Sequence, residues 1–335
     1  MAGIKIFENS FLHSKDKDFE EMALALFRFQ AKNNEVYKKF IKRLGIRIKT
    51  VDRLKNIPFL PISFFKTHCV LCGGTDFEKV FYSSATTGNE PGRHFIKRTE
   101  VYKKSLINCF ELFYGLPSDY TILAVLPNYL ENKHSSLIYM MDELIRLSGK
   151  KYSGYYSANR EELLATLVAL RQKNEKTLLF GVSFSLLEFC EYEVANLRDQ
   201  PFSNLIVMET GGMKGFREEL VREDLHNRLC SGFGVNKIHS EYGMTELLSQ
   251  SYSKGGGIFH VPPWKKVMIR EVNDPFEYTA GGITGGINVI DLANIYSCAF
   301  IATQDLGRSF EDGSFEVLGR FDNSEMRGCN LMAVR

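Results

Sequence analysis

The sequence has almost no excess of charge of either sign: its 335 residues carry 42 Lys and Arg against 40 Asp and Glu, a net charge of +2. No basic face is implied, which argues against general nucleic-acid binding. No apolar run approaches the length that crosses a bilayer, so no integral membrane span is expected. The opening residues, Met-Ala-Gly-Ile-Lys-Ile-Phe-Glu, lack the apolar core of a secretory signal. Cysteine is unpatterned: the seven are scattered and odd in number, with no disulfide framework. Cys69-Val-Leu-Cys72 is the one C-x-x-C, and no second Cys/His pair follows it at zinc spacing. It reads as a chance pair of buried thiols. These absences describe a reduced, cytoplasmic protein without internal repeats or low-complexity linkers. What is present is an ordinary globular composition, 44% hydrophobic and 24% charged, with ample material for a core.

Residues 17–44 carry apolar side chains at helical spacing (Phe19, Met22, Ala23, Leu26, Phe27, then Val36, Phe40, Leu44), and Asn33-Asn34 divides them into two helices. Pro58 and Pro61 forbid helix in the following stretch, whose large side chains predict an extended segment packed on the body. A strand near Val80 comes next, and Thr99 is placed to N-cap a helix through Phe110. From residue 120 the pattern alternates. Tyr120–Leu126 is an apolar run suited to a strand buried on both faces. Helices are expected over about 135–147 (closed by Gly149), 161–173, 184–197 and 216–230, and strands over 177–181, 204–208 and 235–239. Such alternation predicts right-handed crossovers and a mainly parallel, helix-covered sheet. After residue 255, Gly-punctuated runs at 258–261, 266–272, 287–291, 297–302 and 315–318 predict a smaller antiparallel region. The fold class is therefore α/β with an added antiparallel β region.

Phe81-Tyr-Ser-Ser-Ala-Thr-Thr-Gly-Asn-Glu-Pro-Gly-Arg93 places Ser83, Ser84, Thr86 and Thr87 beside Gly88 and Gly92, just after a strand-like run. Such a loop can aim backbone N–H and hydroxyl donors at one anion, with Arg93 and Lys97 behind it. A polar turn between strands is the competing reading, and the Walker spacing is absent. Three further stretches fall at expected carboxyl ends of strands, where ligands of such sheets sit. They are Pro127-Asn-Tyr129, Glu209-Thr-Gly-Gly212 and Tyr242-Gly-Met-Thr-Glu246. Asp305, exposed by its sequence context, and Arg320 lie near later strand ends, where turn chemistry alone explains both.

Ser83–Gly88, Tyr242–Glu246, Thr303-Gln-Asp305 and Gly319-Arg-Phe-Asp322 resemble, in order, the core motifs of adenylate-forming enzymes such as acyl-CoA synthetases and firefly luciferase. His239–Gln250, Glu209–Gly215, Gly285–Leu292, Ile57–Lys66 and Arg327-Gly-Cys-Asn330 are similar, more closely, to the acyl-protein synthetase family. That family is the fatty-acid-activating subunit of the reductase that supplies aldehyde to bacterial luciferase. The likeness runs from about residue 18 to 332.

The resemblance implies a long-chain-fatty-acid–protein ligase that uses ATP and Mg²⁺. The acid would become an acyl-adenylate, and a thiol would then take the acyl group for delivery to an acyl-CoA-reductase-type protein. It implies phosphate contacts from Ser83, Ser84, Thr86, Thr87 and Gly88, and Mg²⁺ at Glu246. Thr245 would donate to a phosphate. Tyr242 would stack on adenine, with Gly211, Gly212 and Gly243 lying close to the nucleotide. Asp305 would accept from the ribose hydroxyls, with Arg320 near ribose or phosphate. Cys329 would carry the acyl group, its thiol favoured as thiolate by Arg327. Lys214 and Arg93 are candidate cations for the α-phosphate, and His239 and His134 candidates for shaping the acid site. Alone, Tyr242 would be a core aromatic and Glu246 a helix-start carboxylate. One large domain is expected over 1–335: a helical and extended segment 1–75, an α/β core 76–255, a β-rich region 256–320 and a tail 321–335. The sequence ends shortly after Asp322, so the superfamily's small mobile C-terminal domain, with its adenylation lysine, is expected to be absent. An acyl- or aryl-CoA ligase, a carrier-loading ligase and an inactive scaffold are the alternatives.

Overall fold

The computed structural model describes residues 7, 8, 10–13, 16–83, 90–126, 134–156, 159–193, 202–211 and 220–321. They form two compact units. One takes in the described residues up to Lys79, with His94–Lys97 and everything from His260 on; the other takes in Val80–Arg93 and Arg98–Phe259.

The first unit begins with α1 (Asp16–Asn33) and α2 (Glu35–Arg43). Asn34 separates them because its extended backbone breaks the helix while its Oδ1 accepts from the N–H groups of Val36 and Tyr37, both at 3.1 Å. This is N-capping by an asparagine. Its Nδ2 donates to the Ser297 carbonyl at 2.9 Å, so the break is also an anchor. The proline-containing stretch is extended as β1 (Leu60–Pro61), followed by the single-turn α3 (Phe64–Thr67). Tyr37, Phe27, Phe59 and Phe300 form an aromatic cluster with ring centroids 6.1–6.2 Å apart. Cys72 is buried but Cys69 is exposed, so the expectation of two buried thiols fails for Cys69.

The chain passes to the second unit through β2 (Lys79–Tyr82) and returns briefly in β3 (Arg93–Ile96) before α4 (Thr99–Tyr114). Thr99 is not the N-cap expected of it: Arg98, with φ −140 and ψ 108, is the last non-helical residue, and its side chain caps nothing. The elements then alternate: β4 (Thr121–Val125), α5 (Ser136–Ser148), β5 (Gly154–Tyr155), α6 (Arg160–Gln172), β6 (Thr177–Val182), α7 (Ser183–Glu193) and β7 (Leu205–Thr210). They continue with α8 (Arg222–Phe233), β8 (His239–Tyr242), β9 (Ser251–Ser253) and β10 (Ile258–Phe259). Strand order is β5-β4-β6-β7-β8-β9, parallel except that β9 runs antiparallel to β8. Every residue of β4 is buried, as its apolar run predicts. Leu163, Leu167 and Leu170 of α6, Leu186 and Phe189 of α7, and Leu225, Leu229 and Phe233 of α8 pack with Leu179 and Val207 on one face.

Two boundaries differ from expectation. The last parallel strand runs from His239 to Tyr242 rather than over 235–239, and the preceding helix begins at Arg222 and extends to Phe233. His239, Ser240 and Glu241 look too polar for a central strand, yet all are buried there, because side-chain partners satisfy their polar groups. Their polarity hid the strand.

The first unit resumes with β11 (Lys265–Arg270), β12 (Gly285–Asp291), β13 (Phe300–Ser309) and β14 (Phe315–Arg320). These pair antiparallel in the order β14-β13-β12-β11, and β1 runs parallel to β13. The antiparallel region is therefore present, with β13 longer and later than its expected span of 297–302. No helix among the described residues is long and apolar enough to cross a membrane.

Candidate active site

Strand alternation decides what each side chain at the carboxyl ends of β7 and β8 can touch. The register pairs Met208 with His239, Glu209 with Ser240 and Thr210 with Glu241. Val207 lies in the core under α6–α8, so Glu209, Ser240 and Tyr242 share that face. Met208, Thr210, His239 and Glu241 share the opposite one. The hydrogen bonds agree. Glu209 accepts from Ser183 of α7 and Arg222 of α8, whereas His239 meets Tyr114 of α4.

Beyond β8 the chain turns, and the Leu247 N–H closes the turn on the Met244 carbonyl at 3.1 Å. Thr245 and Glu246 lie in this turn, so Glu246 is not a helix-start carboxylate. Glu246 is only 6% exposed, and its carboxylate lies against Gly92. A Cβ built on Gly92 would overlap Glu246 Oε1 and stand 3.2 Å from Ser83 Oγ. Ser83 and Gly92 are also bonded to each other. The Ser83 N–H donates to the Gly92 carbonyl at 2.9 Å, and the Gly92 N–H donates to Ser83 Oγ at 2.7 Å. A hydroxyl that accepts one hydrogen bond can still donate another. Ser83 and Gly92, which flank the Ser/Thr/Gly stretch, are thus brought beside the buried carboxylate of the Tyr-Gly-Met-Thr-Glu turn, about 150 residues away in sequence. Among the described residues no three His, Cys, Asp or Glu side chains gather as a metal cage.

Gly243 has a structural role at close quarters: a Cβ there would overlap Glu241 Oε1. Glu241 is buried and accepts from the Thr210 hydroxyl. Tyr242 packs against Phe259, with ring centroids 5.8 Å apart. In the first unit, Asp305 and Arg320 are cross-strand partners of β13 and β14, with Arg320 Nε 3.3 Å from Asp305 Oδ1. Asp305 is buried at 8% exposure, against the exposure its context suggests, because it lies within the long β13 rather than at a strand end. Thr303 Oγ1 accepts from its backbone N–H at 3.1 Å. Ser84, Thr86, Thr87, Gly88, Pro127–Tyr129, Gly212, Lys214, Asp322, Arg327 and Cys329 lie outside the described residues. Gly211 is the last described residue after β7.

His239 begins β8, and its Nδ1 lies 3.1 Å from the Tyr114 hydroxyl. Burial, reinforced by the positive charges of Lys237 and Lys254, pushes its pKa down to about 4. It is therefore a neutral imidazole near pH 7. The unfolded chain, with an ordinary histidine pKa of about 6.5, binds more protons between those values. Folding stability should fall as pH drops from about 6.5 toward 4, by up to about 3 kcal/mol at 1.36 kcal/mol per pKa unit. Melting temperature against pH checks this: His239→Gln should flatten that part of the curve, and an unchanged slope would count against the neutral imidazole.

Three participants here, Ser183, Arg222 and His226, are not evident from motifs; they gather around Glu209, which opens the Glu209–Gly212 stretch. Glu209 is 4% exposed and receives Ser183 Oγ at 2.7 Å, Arg222 Nη1 at 3.2 Å and His226 Nε2 at 3.5 Å. Burial opposes its ionisation, but His226, Arg222, Ser240 and Ser183 outweigh that and hold the carboxyl below its usual range. Arg222 and His226 are four apart on α8, hence on one helix face, and that spacing was the available signal.

The family model for the acyl-protein synthetase, LuxE, matches residues 153–334, more than half of the chain. No curated protein is significantly similar to the sequence. Among solved structures, ATP-bound MatB from Rhodopseudomonas palustris shares 16% identity at a TM-score of 0.56, over 75% of this chain and 49% of that one. The chain thus spans about half the length of that ligase. A 2-hydroxyisobutyryl-CoA ligase in complex with 2-HIB-AMP and CoA matches at 14% identity and a TM-score of 0.67, over 92% of this chain and 68% of its own. The luciferase-like enzyme of the mealworm Zophobas morio matches at 18% and 0.52, over 74% and 59%. These likenesses establish the α/β fold that such ligases share. Joined to the family match, which runs through Glu209, the Tyr-Gly-Met-Thr-Glu turn and Asp305, they identify the chain as a member of the acyl-protein synthetase family.

Proposed function

We propose that this protein activates a long-chain fatty acid with ATP and passes the acyl group to a thiol, its own Cys329, for collection by a reductase of the acyl-CoA-reductase type. The observation that carries the reading is the approach of Glu246 to Gly92, which is itself hydrogen-bonded to Ser83, so the candidate metal carboxylate lies beside the described ends of the candidate phosphate stretch. The ATP in the MatB structure and the 2-HIB-AMP in the CoA ligase structure support nucleotide use.

In the first step a carboxylate oxygen of the acid attacks the α-phosphorus of ATP. The bond from that phosphorus to the bridging oxygen breaks, and pyrophosphate leaves. In the second, the Cys329 sulfur attacks the acyl carbon, and AMP departs as the thioester forms. Catalysis of the first step is a matter of positioning and of stabilising charge on the departing pyrophosphate. Ser83, Ser84, Thr86, Thr87 and the Gly88 backbone would hold the phosphates, with Thr245 donating a further hydrogen bond. Glu246 fits Mg²⁺: it is a hard oxygen donor, and no group of three His, Cys, Asp or Glu among the described residues forms a cage, as suits an ion that keeps waters and phosphate oxygens as ligands. When bound there, Mg²⁺ would neutralise phosphate charge. Lys214 would add a cation near the α-phosphate. Tyr242, with Gly211, Gly212 and Gly243, would take the adenine, and Asp305 and Arg320 the ribose side. His239, held neutral, would shape the acid end without adding charge.

The test is intact mass after incubation with Mg-ATP and a panel of fatty and aryl acids. One acyl mass should be gained, with AMP and pyrophosphate formed, and neutral hydroxylamine should remove it. Glu246→Gln should slow pyrophosphate release by about 100- to 1000-fold, the usual scale for losing one charge-stabilising group. Products that appear only when coenzyme A is added would favour a CoA ligase, the chemistry of the 2-hydroxyisobutyryl-CoA relative. No product with any acid would overturn adenylation.

A further inference from the structure

The buried cluster around Glu209 extends further than one ion pair. Its carboxylate is held on both oxygens: Oε2 accepts from Ser183, and Oε1 from Arg222 and His226. His226 Nε2 is also 3.4 Å from Ser240 Oγ in the neighbouring strand. The Arg222 guanidinium lies over the Phe259 ring, 5.2 Å from its centroid, and Phe259 packs against Tyr242. Space is reserved for this arginine, since a Cβ at Gly257 would stand 2.7 Å from Arg222 Cδ. A continuous chain of contacts, Glu209–Arg222–Phe259–Tyr242, therefore joins the end of β7 to the end of β8.

This ion pair, with its carboxylate buried and its arginine half-buried, adds little net stability, because desolvation of Glu209 offsets an attraction that solvent screens at Arg222. Its geometry is nonetheless well defined. A guanidinium held by a carboxylate on one side and an aromatic face on the other has few alternatives, and a lysine could not reproduce that planar fit. The consequence of the chain is thus orientation of the Tyr242 ring and of the Thr210–Gly211 segment that directly follows Glu209.

We propose that Glu209, Arg222 and Phe259 are positioning residues that set nucleotide affinity by fixing the Tyr242 platform for the base. The proposal rests on the ATP-dependent reading above. It separates base recognition from phosphate recognition: this chain reaches Tyr242, whereas Ser83, Gly92 and Glu246 form the phosphate side.

The experiment is calorimetric titration of ATP and of inorganic tripolyphosphate into the wild type, Arg222→Ala, Arg222→Lys and Phe259→Leu, with kcat and KM for ATP measured in parallel. Loss of a stacked base contact predicts that ATP affinity falls about tenfold in Arg222→Ala and Phe259→Leu. Tripolyphosphate affinity should hold, KM for ATP should rise more than kcat falls, and Arg222→Lys should lie between. Unchanged ATP affinity in the variants of an ATP-binding wild type would overturn the positioning role and leave the ligase reading standing. A parallel loss of ATP and tripolyphosphate would also overturn it, since that is the mark of general structural damage. A wild type that binds no ATP would overturn both readings.

Discussion

Replacing Gly92 with alanine should leave the protein folded and nearly as stable as the wild type, while acid-dependent pyrophosphate release falls by about 100-fold. The added methyl would overlap Glu246 Oε1, the far end of a flexible side chain, rather than backbone. The carboxylate can swing away at modest cost, so thermal unfolding should hardly change. The same swing moves the carboxylate that lies against Gly92, beside the candidate phosphate stretch, and a displacement near 1 Å at a reacting centre can cost about 100-fold in rate. Adding Glu246→Gln to Gly92→Ala should then cost little more, because residues acting as a unit are not additive. Normal activity in Gly92→Ala would sink the assignment of Glu246, and cooperative unfolding at a much lower temperature would show that Gly92 serves the fold instead.

Cys329→Ser is the second large effect. The variant should still form acyl-adenylate and pyrophosphate, but the acyl mass on the protein should disappear. A serine hydroxyl without an activating base is a far poorer nucleophile than a thiol, of which a few per cent is thiolate at neutral pH even before Arg327 is considered. Intact mass distinguishes the outcomes. Retention of a hydroxylamine-labile acyl group in Cys329→Ser would move the acceptor to another thiol. Among the other cysteines, Cys72 and Cys298 are buried, and burial pushes the Cys72 thiol up to about 12 and that of Cys298 higher still, which suppresses the thiolate.

Much of the fold was readable because its signals are local. Asn34 both ends one helix and caps the next, the nearly all-apolar Thr121–Val125 run reads as a strand covered on both faces, and alternation after residue 120 implies the parallel sheet. The candidate phosphate loop and the Tyr242–Glu246 stretch were readable as motifs, and the resemblance they carry led to the family that the chain belongs to. Thr99 misled because helix entry rests on backbone geometry as well as on the capping residue type. Asp305 misled because it lies inside a ten-residue strand paired with the next strand, where a turn was expected.

By itself, the sequence determined most of the secondary elements, the α/β class and the motif order, since each follows from spacing, propensity or residue chemistry within a few turns of chain. Only the tertiary structure decided that Glu246 lies against Gly92, and that His239 is buried and neutral. It alone made Glu209 the anchor of a line of contacts reaching Tyr242. The physical reason is that burial, charge pairing and close approach depend on which distant segments share a sheet edge, and strand register sets that rather than any residue's own preference.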